Sequence, residues 1–457
     1  MTATVPHVKT LRQRDLVLFT VSAILLLDTL TAAASVGTPA LFWWLFLGLV
    51  FFLPFAFISA EMGCSYPEQG GIYAWIRDAF GGRWASRATW CYWVNTAVWL
   101  PAIFILFAGI FAQLFAPGLA LHWQILIGLG LTWLAVAVNI VTLEVGKWIP
   151  NLGAILKVLI FLTIIIGALV HVRAHGMANP LTLASITPDW SSSLQYIPAI
   201  IYGMLGFELV SAGSAEMRNP ARDVPRAILI SGSLILLLYT GGTLAVLAAI
   251  PTADINLVEG LVDTLRLFFA GSPAGSLLVT VLGVCALYTF FSNGVTWALG
   301  CNRAAAEAAL EGELPRVFAV EHPTLGTPVG AAVLMGAVSS TVLILYGWLS
   351  VSNEDLFWAL FAFSAVIFLL PYLGMLLAFL RLRETDPGHA RPWRVPGGAA
   401  GAAICTWLCL LVLVLAIALF LYTPEVGVEW AVLAGVVVTL LLGEAVIRRA
   451  EKHRRLA

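Results

Sequence analysis

Two acidic side chains lie inside long apolar stretches of the chain, and each stretch also contains small residues. Asp28 lies within residues 22–39, and Glu208 lies within residues 196–213. A carboxylate at membrane depth is costly in free energy, so such residues usually serve a function. Two of them, in corresponding interrupted helices of two chain halves, are typical of the central binding site of a transporter. The chemistry expected there is the binding of a polar or charged solute.

Glycines beside Glu208 predict a bend in the second stretch. Gly203 and Gly206 permit an irregular backbone near Tyr202. A break in a membrane helix frees N–H groups, which favour an anion, and C=O groups, which favour a cation. In the first stretch the break could lie at residues 28–30 or at residues 32–37. The alternative is that the small residues only allow close helix packing.

The two carboxylates each have two interpretations. Asp28 could bind a substrate amine or guanidinium, or it could be a buried, protonated packing residue. Glu208 could contribute to the same site, couple transport to a proton, or hold the broken helix against other helices. Aromatic side chains near the glycines could stack over an amine or close a pathway. The predicted substrate-binding residues are Asp28, Thr29, Leu30, Tyr202, Gly203, Gly206, Phe207, Glu208 and Trp297.

One basic residue also lies within an apolar stretch. Lys157 is one to two turns from the start of residues 148–171. Its side chain could extend back to the membrane surface. Alternatively, the ammonium group points into the helix bundle and supplies a fixed charge there. On the second interpretation, Lys157 and Glu208 are the predicted coupling residues.

Composition places the chain in the membrane and excludes several function classes. Of 457 residues, 60% are apolar and 11% are charged, whereas soluble domains carry about 25% charged residues. No basic run suggests nucleic acid, no GxxxxGK[ST] loop suggests ATP hydrolysis, and no CxxC pair suggests a metal. No nucleophile–base pair suggests an enzyme. We therefore expect neither a metal nor a cofactor.

Twelve stretches are long enough to span a bilayer as helices. If the N-terminus is cytoplasmic, the Lys and Arg residues outside the spans are also cytoplasmic, except Arg173 and Arg266. The predicted spans are about 15–37, 40–64, 86–117, 121–141, 148–171, 194–214, 225–250, 274–300, 327–349, 354–380, 401–422 and 428–448. The predicted organisation is a cytoplasmic tail 1–14, a first repeat 15–172, a second repeat 194–382, a cytoplasmic loop 383–400, two further spans in 401–449 and a cytoplasmic tail 450–457.

Three motifs resemble those of one superfamily. They are residues 61–81 after the second span, residues 206–227 around Glu208, and residues 302–328 after the eighth span. Together they resemble the amino acid–polyamine–organocation superfamily of transporters. The resemblance implies an all-α integral membrane fold with 12 transmembrane helices and a LeuT-like 5+5 inverted repeat, in which helices 1 and 6 are broken. It also implies that Tyr202 and Trp297 act as gates and that Lys157 replaces a sodium ion.

Two features narrow the expected substrate. Residues 256–260 and 42–54 are most similar to the glutamate/GABA antiporter branch. The usual Gly-Ser-Gly of helix 1 is replaced by residues 28–30, Asp-Thr-Leu, which is similar to an Asp-Thr-aromatic stretch of putrescine importers. This difference favours an amine or polyamine over an α-amino acid.

The resulting prediction is a sodium-independent secondary transporter of the cytoplasmic (inner) membrane, with both termini cytoplasmic. It would move an amino acid or a derived amine by alternating access, through proton symport or substrate exchange. The alternative is a non-transporting membrane sensor or partner subunit with the same fold. The expected partners are a small-molecule substrate and the bilayer, and both a monomer and a homodimer remain open.

Overall fold

The computed structural model describes residues 11–68, 70–141, 148–188, 197–255, 260–269, 272–350, 352–423 and 427–456. Within these ranges the regular elements are helices, apart from an isolated bridge between Leu11 and Met217 and one antiparallel pair of two-residue strands, β1 (Tyr422–Thr423) and β2 (Gly427–Val428). The α-helices are α1 (Gln13–Ile24), α2 (Leu27–Ala34), α3 (Pro39–Leu47), α4 (Leu53–Ser65), α5 (Ile72–Phe80), α6 (Gly82–Phe115), α7 (Leu121–Val141), α8 (Trp148–His175), α9 (Leu183–Ile186), α10 (Ile197–Tyr202), α11 (Pro220–Ala249), α12 (Gly260–Phe269), α13 (Gly275–Leu310), α14 (Val329–Leu349), α15 (Asn353–Thr385), α16 (Gly398–Leu421) and α17 (Trp430–Leu456).

Among the described residues, ten helices are long and apolar enough to cross a membrane. The bent pair α1 and α2, with 47° between them, brings the number to eleven. The predicted stretch 194–214 contains only the short α10 and a 3-10 segment, Phe207–Glu216, and its residues 194–196 lie outside the described part. The prediction of a multi-span, all-α membrane protein is thus confirmed, whereas helix length alone does not give twelve spans.

The two short, broken segments lie at the centre of the bundle. Every residue of α2 and of α10 is buried. Helix α1 packs on α8, α11 and α13, and α2 packs on α10 and α11. The helices α7 and α17 bury the smallest share of their surfaces, so they lie at the periphery. The fold therefore encloses the two predicted carboxylates within longer, continuous helices.

The first break is not where the sequence predicted it. Leu25 and Leu26 have extended backbone angles and separate α1 from α2, whereas residues 28–30 are helical and residues 35–38 form the turn into α3. Both predicted positions, 28–30 and 32–37, are therefore wrong. The physical reason is that partners from distant helices hold this break open, and local sequence carries no sign of them.

Candidate central binding site

Lys157 of α8 points into the bundle and is only 1% exposed. Its Nζ atom donates to the Ser22 carbonyl at 2.6 Å and to Asn293 Oδ1 on α13 at 3.2 Å. The Ser22 carbonyl belongs to the last turn of α1, where unpaired carbonyl groups attract a cation. Extension of Lys157 to the membrane surface is thereby excluded. Asn293 was not predicted, because a single amide in an apolar helix gives no distinctive pattern.

Two more side chains complete the end of α1. Tyr239 of α11 donates its hydroxyl hydrogen to the Ile24 carbonyl at 2.6 Å and accepts the Leu26 N–H at 2.7 Å. Trp297 of α13 donates Nε1–H to the Ala23 carbonyl at 3.0 Å. Buried backbone groups must find partners when a membrane helix is interrupted. These contacts supply the partners, so specific side chains of α11 and α13 stabilise the break.

Asp28 lies in the first turn of α2, directly after the break, and is 8% exposed. The carboxyl group lies beside its own N–H and that of Thr29, and interacts electrostatically with Lys157. Its Oδ1 atom is buried and accepts no hydrogen bond from any described residue. Buried polar atoms without partners are rare. This oxygen is therefore available to a donor group of a ligand that reaches the first turn of α2.

The second break lies where Gly203 and Gly206 predicted a bend. Helix α10 ends at Tyr202, and the 3-10 segment starts at Phe207. Gly206 has φ +130°, a conformation open mainly to glycine. A Cβ atom on Gly203 would lie 2.5 Å from Thr29 Cγ2. The side chain of Thr29 in the first broken segment therefore packs directly against the backbone of Gly203 in the second.

Glu208 connects the second broken segment to two long helices. It is 3% exposed, and its Oε1 atom accepts hydrogen bonds from Tyr92 of α6 and Tyr372 of α15, each at 2.7 Å. Its Oε2 atom is buried and has no hydrogen-bond partner among the described residues. The two hydroxyl donors connect Glu208 to α6 and α15 through one oxygen, so a change in the charge of Glu208 would change these contacts.

Aromatic rings from four elements surround this region, and Phe368 of α15 is their common neighbour. Its ring centroid lies 4.8 Å from Tyr202, 5.2 Å from Trp297, 4.9 Å from Tyr372 and 6.3 Å from Tyr92. We call these five rings the central aromatic cluster. Faces of aromatic rings attract organic cations. Tyr202 and Trp297 were predicted from the sequence, whereas Phe368, Tyr372 and Tyr92 were not.

Two predicted binding residues pack against neighbouring helices. Leu30 packs toward α11, since a Cβ on Gly242 would lie 3.0 Å from its Cδ1 atom. Phe207 packs on Phe52 with ring centroids 4.9 Å apart. Both side chains are fully buried. Their position favours helix packing rather than contact with a ligand between the breaks.

Comparison with known proteins shows which family and which relatives the chain resembles. The amino acid permease family matches residues 11–442 of the chain. The probable agmatine/putrescine antiporter of Lactococcus lactis is 31% identical over 442 residues, which cover 95% of this chain and 93% of that protein. An uncharacterized transporter of Legionella pneumophila is 31% identical over 401 residues, covering 85% and 84%.

A more distant relative extends the range of named substrates. The glutamate/gamma-aminobutyrate antiporter of Lactococcus lactis is 23% identical over 418 residues, covering 89% of this chain and 82% of that protein. The full-length family match and the two relatives at 31% identity place the chain in one lineage of membrane carriers. The chain belongs to the amino acid permease family of the amino acid–polyamine–organocation superfamily, and it is a membrane transporter rather than an enzyme.

Proposed function

We propose that the protein is a sodium-independent secondary transporter of a small organic amine, such as a diamine or a guanidino amine, in the cytoplasmic membrane. Transport proceeds by substrate exchange or by proton symport. The observation that carries this proposal is the Asp28 carboxylate at the first break, buried and with Oδ1 free of hydrogen bonds from described residues. An ammonium or guanidinium group can donate to that oxygen.

The position of Asp28 also favours a substrate without a carboxylate group. The N-terminal end of a half-helix in a broken span commonly points at an anionic substrate group. In this chain the carboxylate of Asp28 already lies at the N-terminal turn of α2. A substrate that lacks a carboxylate therefore fits this end of the site better than an α-amino acid.

The charges at the centre of the bundle also favour a cationic substrate. Asp28 and Glu208 are acidic, and Lys157 is the basic residue buried with them. The ammonium of Lys157 is held by Ser22 and Asn293 and is not free to pair with a substrate. A cationic ligand beside Asp28 and the central aromatic cluster would complete the balance. The relative described as a probable agmatine/putrescine antiporter supplies two amines of this class to test first.

The same residues support sodium independence. Lys157 places its ammonium group at the C-terminal end of α1, where a bound metal ion could otherwise coordinate the carbonyl groups. The proposed role of Lys157 is thus to stabilise the broken helix without sodium. Glu208 is the proposed proton-linked residue, because a buried carboxyl between Tyr92 and Tyr372 can change its hydrogen bonds when it changes charge.

The proposed architecture has twelve spans, in which α1 with α2 and α10 with the 3-10 segment are the broken first and sixth. Residues 15–172 and 194–382 form the inverted repeats, and residues 401–449 form the added pair of spans. The close contact of Thr29 with Gly203 supports a shared site between the repeats. Tyr202 and Trp297 are the proposed gates. The helix ends that are rich in Arg and Lys are the proposed cytoplasmic ends of the spans.

The test is a substrate profile of the purified protein in proteoliposomes. Vesicles loaded with putrescine should take up radiolabelled agmatine or putrescine at the same rate in sodium and in potassium buffers. Glutamate and gamma-aminobutyrate should compete weakly. Strict dependence on sodium, or exchange of the two amino acids without any amine exchange, would contradict the proposal. Failure of the pure protein to exchange any solute would favour the sensor or partner-subunit alternative.

A further inference from the structure

A second polar site lies far from the central breaks, where the last turns of α17 meet the segment after α13. A cavity of about 590 Å³ opens there. All charged or titratable side chains in its lining are basic, namely Arg316, Arg449, His453 and Arg454. Its remaining lining is mainly apolar and includes Leu310 and Leu314. Arg316 comes from the segment after α13, whereas the other three basic residues come from α17.

Two of the three arginines of this cavity, Arg316 and Arg449, have no carboxylate partner within the described part of the chain. The third, Arg454, pairs with Glu313, whose Oε1 atom lies 3.8 Å from Arg454 Nη1. Glu313 already accepts a hydrogen bond from Tyr73 at 2.9 Å. No described acidic side chain lies within 4.0 Å of the guanidinium of Arg316 or Arg449. The cavity therefore has excess positive charge.

The end of α13 adds little negative potential to the cavity. Gly312 has φ +75°, and its N–H donates to the Ala309 carbonyl at 3.0 Å. The Glu313 N–H donates to the Ala308 carbonyl at 2.9 Å. These bonds form a Schellman-type C-cap, which satisfies carbonyl groups that would otherwise attract cations. The basic residues thus determine the sign of the potential.

The cavity also lies at the boundary between the apolar spans and their polar ends. Helix α13 ends at Leu310, which is exposed beside the cavity, and Val317 is exposed on the following segment. Both are suited to contact with acyl chains, and the guanidinium groups are suited to a phosphate. We propose that this cavity binds the phosphate headgroup of an anionic phospholipid.

Arginines at the ends of spans are common, because they follow the orientation rule for membrane proteins. That rule explains single residues but not their convergence on one cavity. Arg316 and Arg449 are far apart in sequence and line the same cavity from two elements. Basic pockets between helices at the cytoplasmic side are known to bind anionic lipid headgroups. A bound lipid would join α17 to α13, the helix that carries Asn293 and Trp297.

The test compares lipid binding by the full-length protein in detergent. Phosphatidylglycerol is titrated and followed by native mass spectrometry and by the midpoint of thermal unfolding. The pocket variant combines Arg316→Gln with Arg449→Gln. Its affinity for phosphatidylglycerol should be roughly 30-fold weaker, since each basic residue near an anionic lipid surface contributes about fivefold. Each single substitution should weaken binding about fivefold.

The matched control combines Arg448→Gln with Lys452→Gln. These residues lie on the same helix, are exposed and do not line the cavity, and their substitution removes the same charge. Because Arg448 pairs with Glu444 at 2.8 Å, the two variants are compared by lipid affinity. The control should bind phosphatidylglycerol like the wild type, and phosphatidylcholine should bind much more weakly to all three proteins. Equal lipid affinity of the pocket and control variants would overturn the proposal. Equal stabilisation by inorganic phosphate alone would also overturn it, because the ligand would then be a free anion.

Discussion

Replacement of Lys157 by Met tests the proposal that a side chain holds the first broken helix in place of a metal ion. Met has a similar length and remains apolar, so the change removes the ammonium with little loss of volume. The Ser22 carbonyl and Asn293 Oδ1 then lose their shared donor, whose contacts are 2.6 Å and 3.2 Å long. The end of α1 also loses the cation that contacts its Ser22 carbonyl.

The expected magnitude follows from these contacts. A hydrogen bond with a charged donor contributes about 1.5–3 kcal/mol, and a cation at a helix C-terminus contributes up to about 2 kcal/mol. Removal of the buried ammonium recovers several kcal/mol of desolvation cost. The net loss is therefore about 3 kcal/mol, because the lost contacts outweigh the recovered desolvation cost by roughly that amount. If the whole loss destabilises the conformation that binds the amine, the apparent amine affinity decreases roughly 100-fold.

The assay measures putrescine binding and exchange, together with thermal unfolding, for Lys157→Met. The control is Leu159→Met, which introduces the same residue two positions away on the exposed face of α8. The control should keep wild-type affinity and exchange. Wild-type affinity and unfolding temperature in Lys157→Met would refute the reasoning, because the ammonium would then contribute nothing to the broken helix.

Three further substitutions test other contacts of the fold. Tyr239→Phe removes both hydrogen bonds that bridge the first break, so we expect a loss of about 2–4 kcal/mol in the free energy of unfolding, seen as a lower unfolding temperature. Gly203→Ala places a methyl group against Thr29 and should slow exchange at least tenfold, whereas Gly130→Ala, with no neighbour within 4 Å, should be neutral in the same uptake assay. Glu61→Gln leaves the partly buried Arg383 without its carboxylate at 3.0 Å and should cost about 3 kcal/mol, again measured by thermal unfolding.

Rare residue types made part of the central site predictable from sequence. Charged side chains inside apolar stretches are few, so Asp28, Lys157 and Glu208 stood out, and the structure buries all three. Gly203 and Gly206 also marked the second break correctly, because an interrupted helix needs positions without a Cβ atom. These signals are local in the chain, and local signals are the ones that a single sequence carries.

The first break and most of the aromatic cluster could not be predicted in this way. Leu25 and Leu26 have no intrinsic tendency to end a helix. Their extended conformation depends on Tyr239, whose hydroxyl reaches across from α11. Phe368 was equally hidden, because an aromatic residue in an apolar span usually indicates packing. Only the three-dimensional arrangement distinguishes a ring beside the breaks from a ring elsewhere.

The most direct test of the central claim is amine binding by Asp28→Asn. The substitution preserves the size of the side chain and removes the charge that we propose to bind the substrate. Loss of a charge-assisted hydrogen bond should weaken putrescine and agmatine binding about 10- to 100-fold. The unfolding temperature in the absence of ligand should stay close to that of the wild type. Unchanged amine affinity in Asp28→Asn would contradict the account.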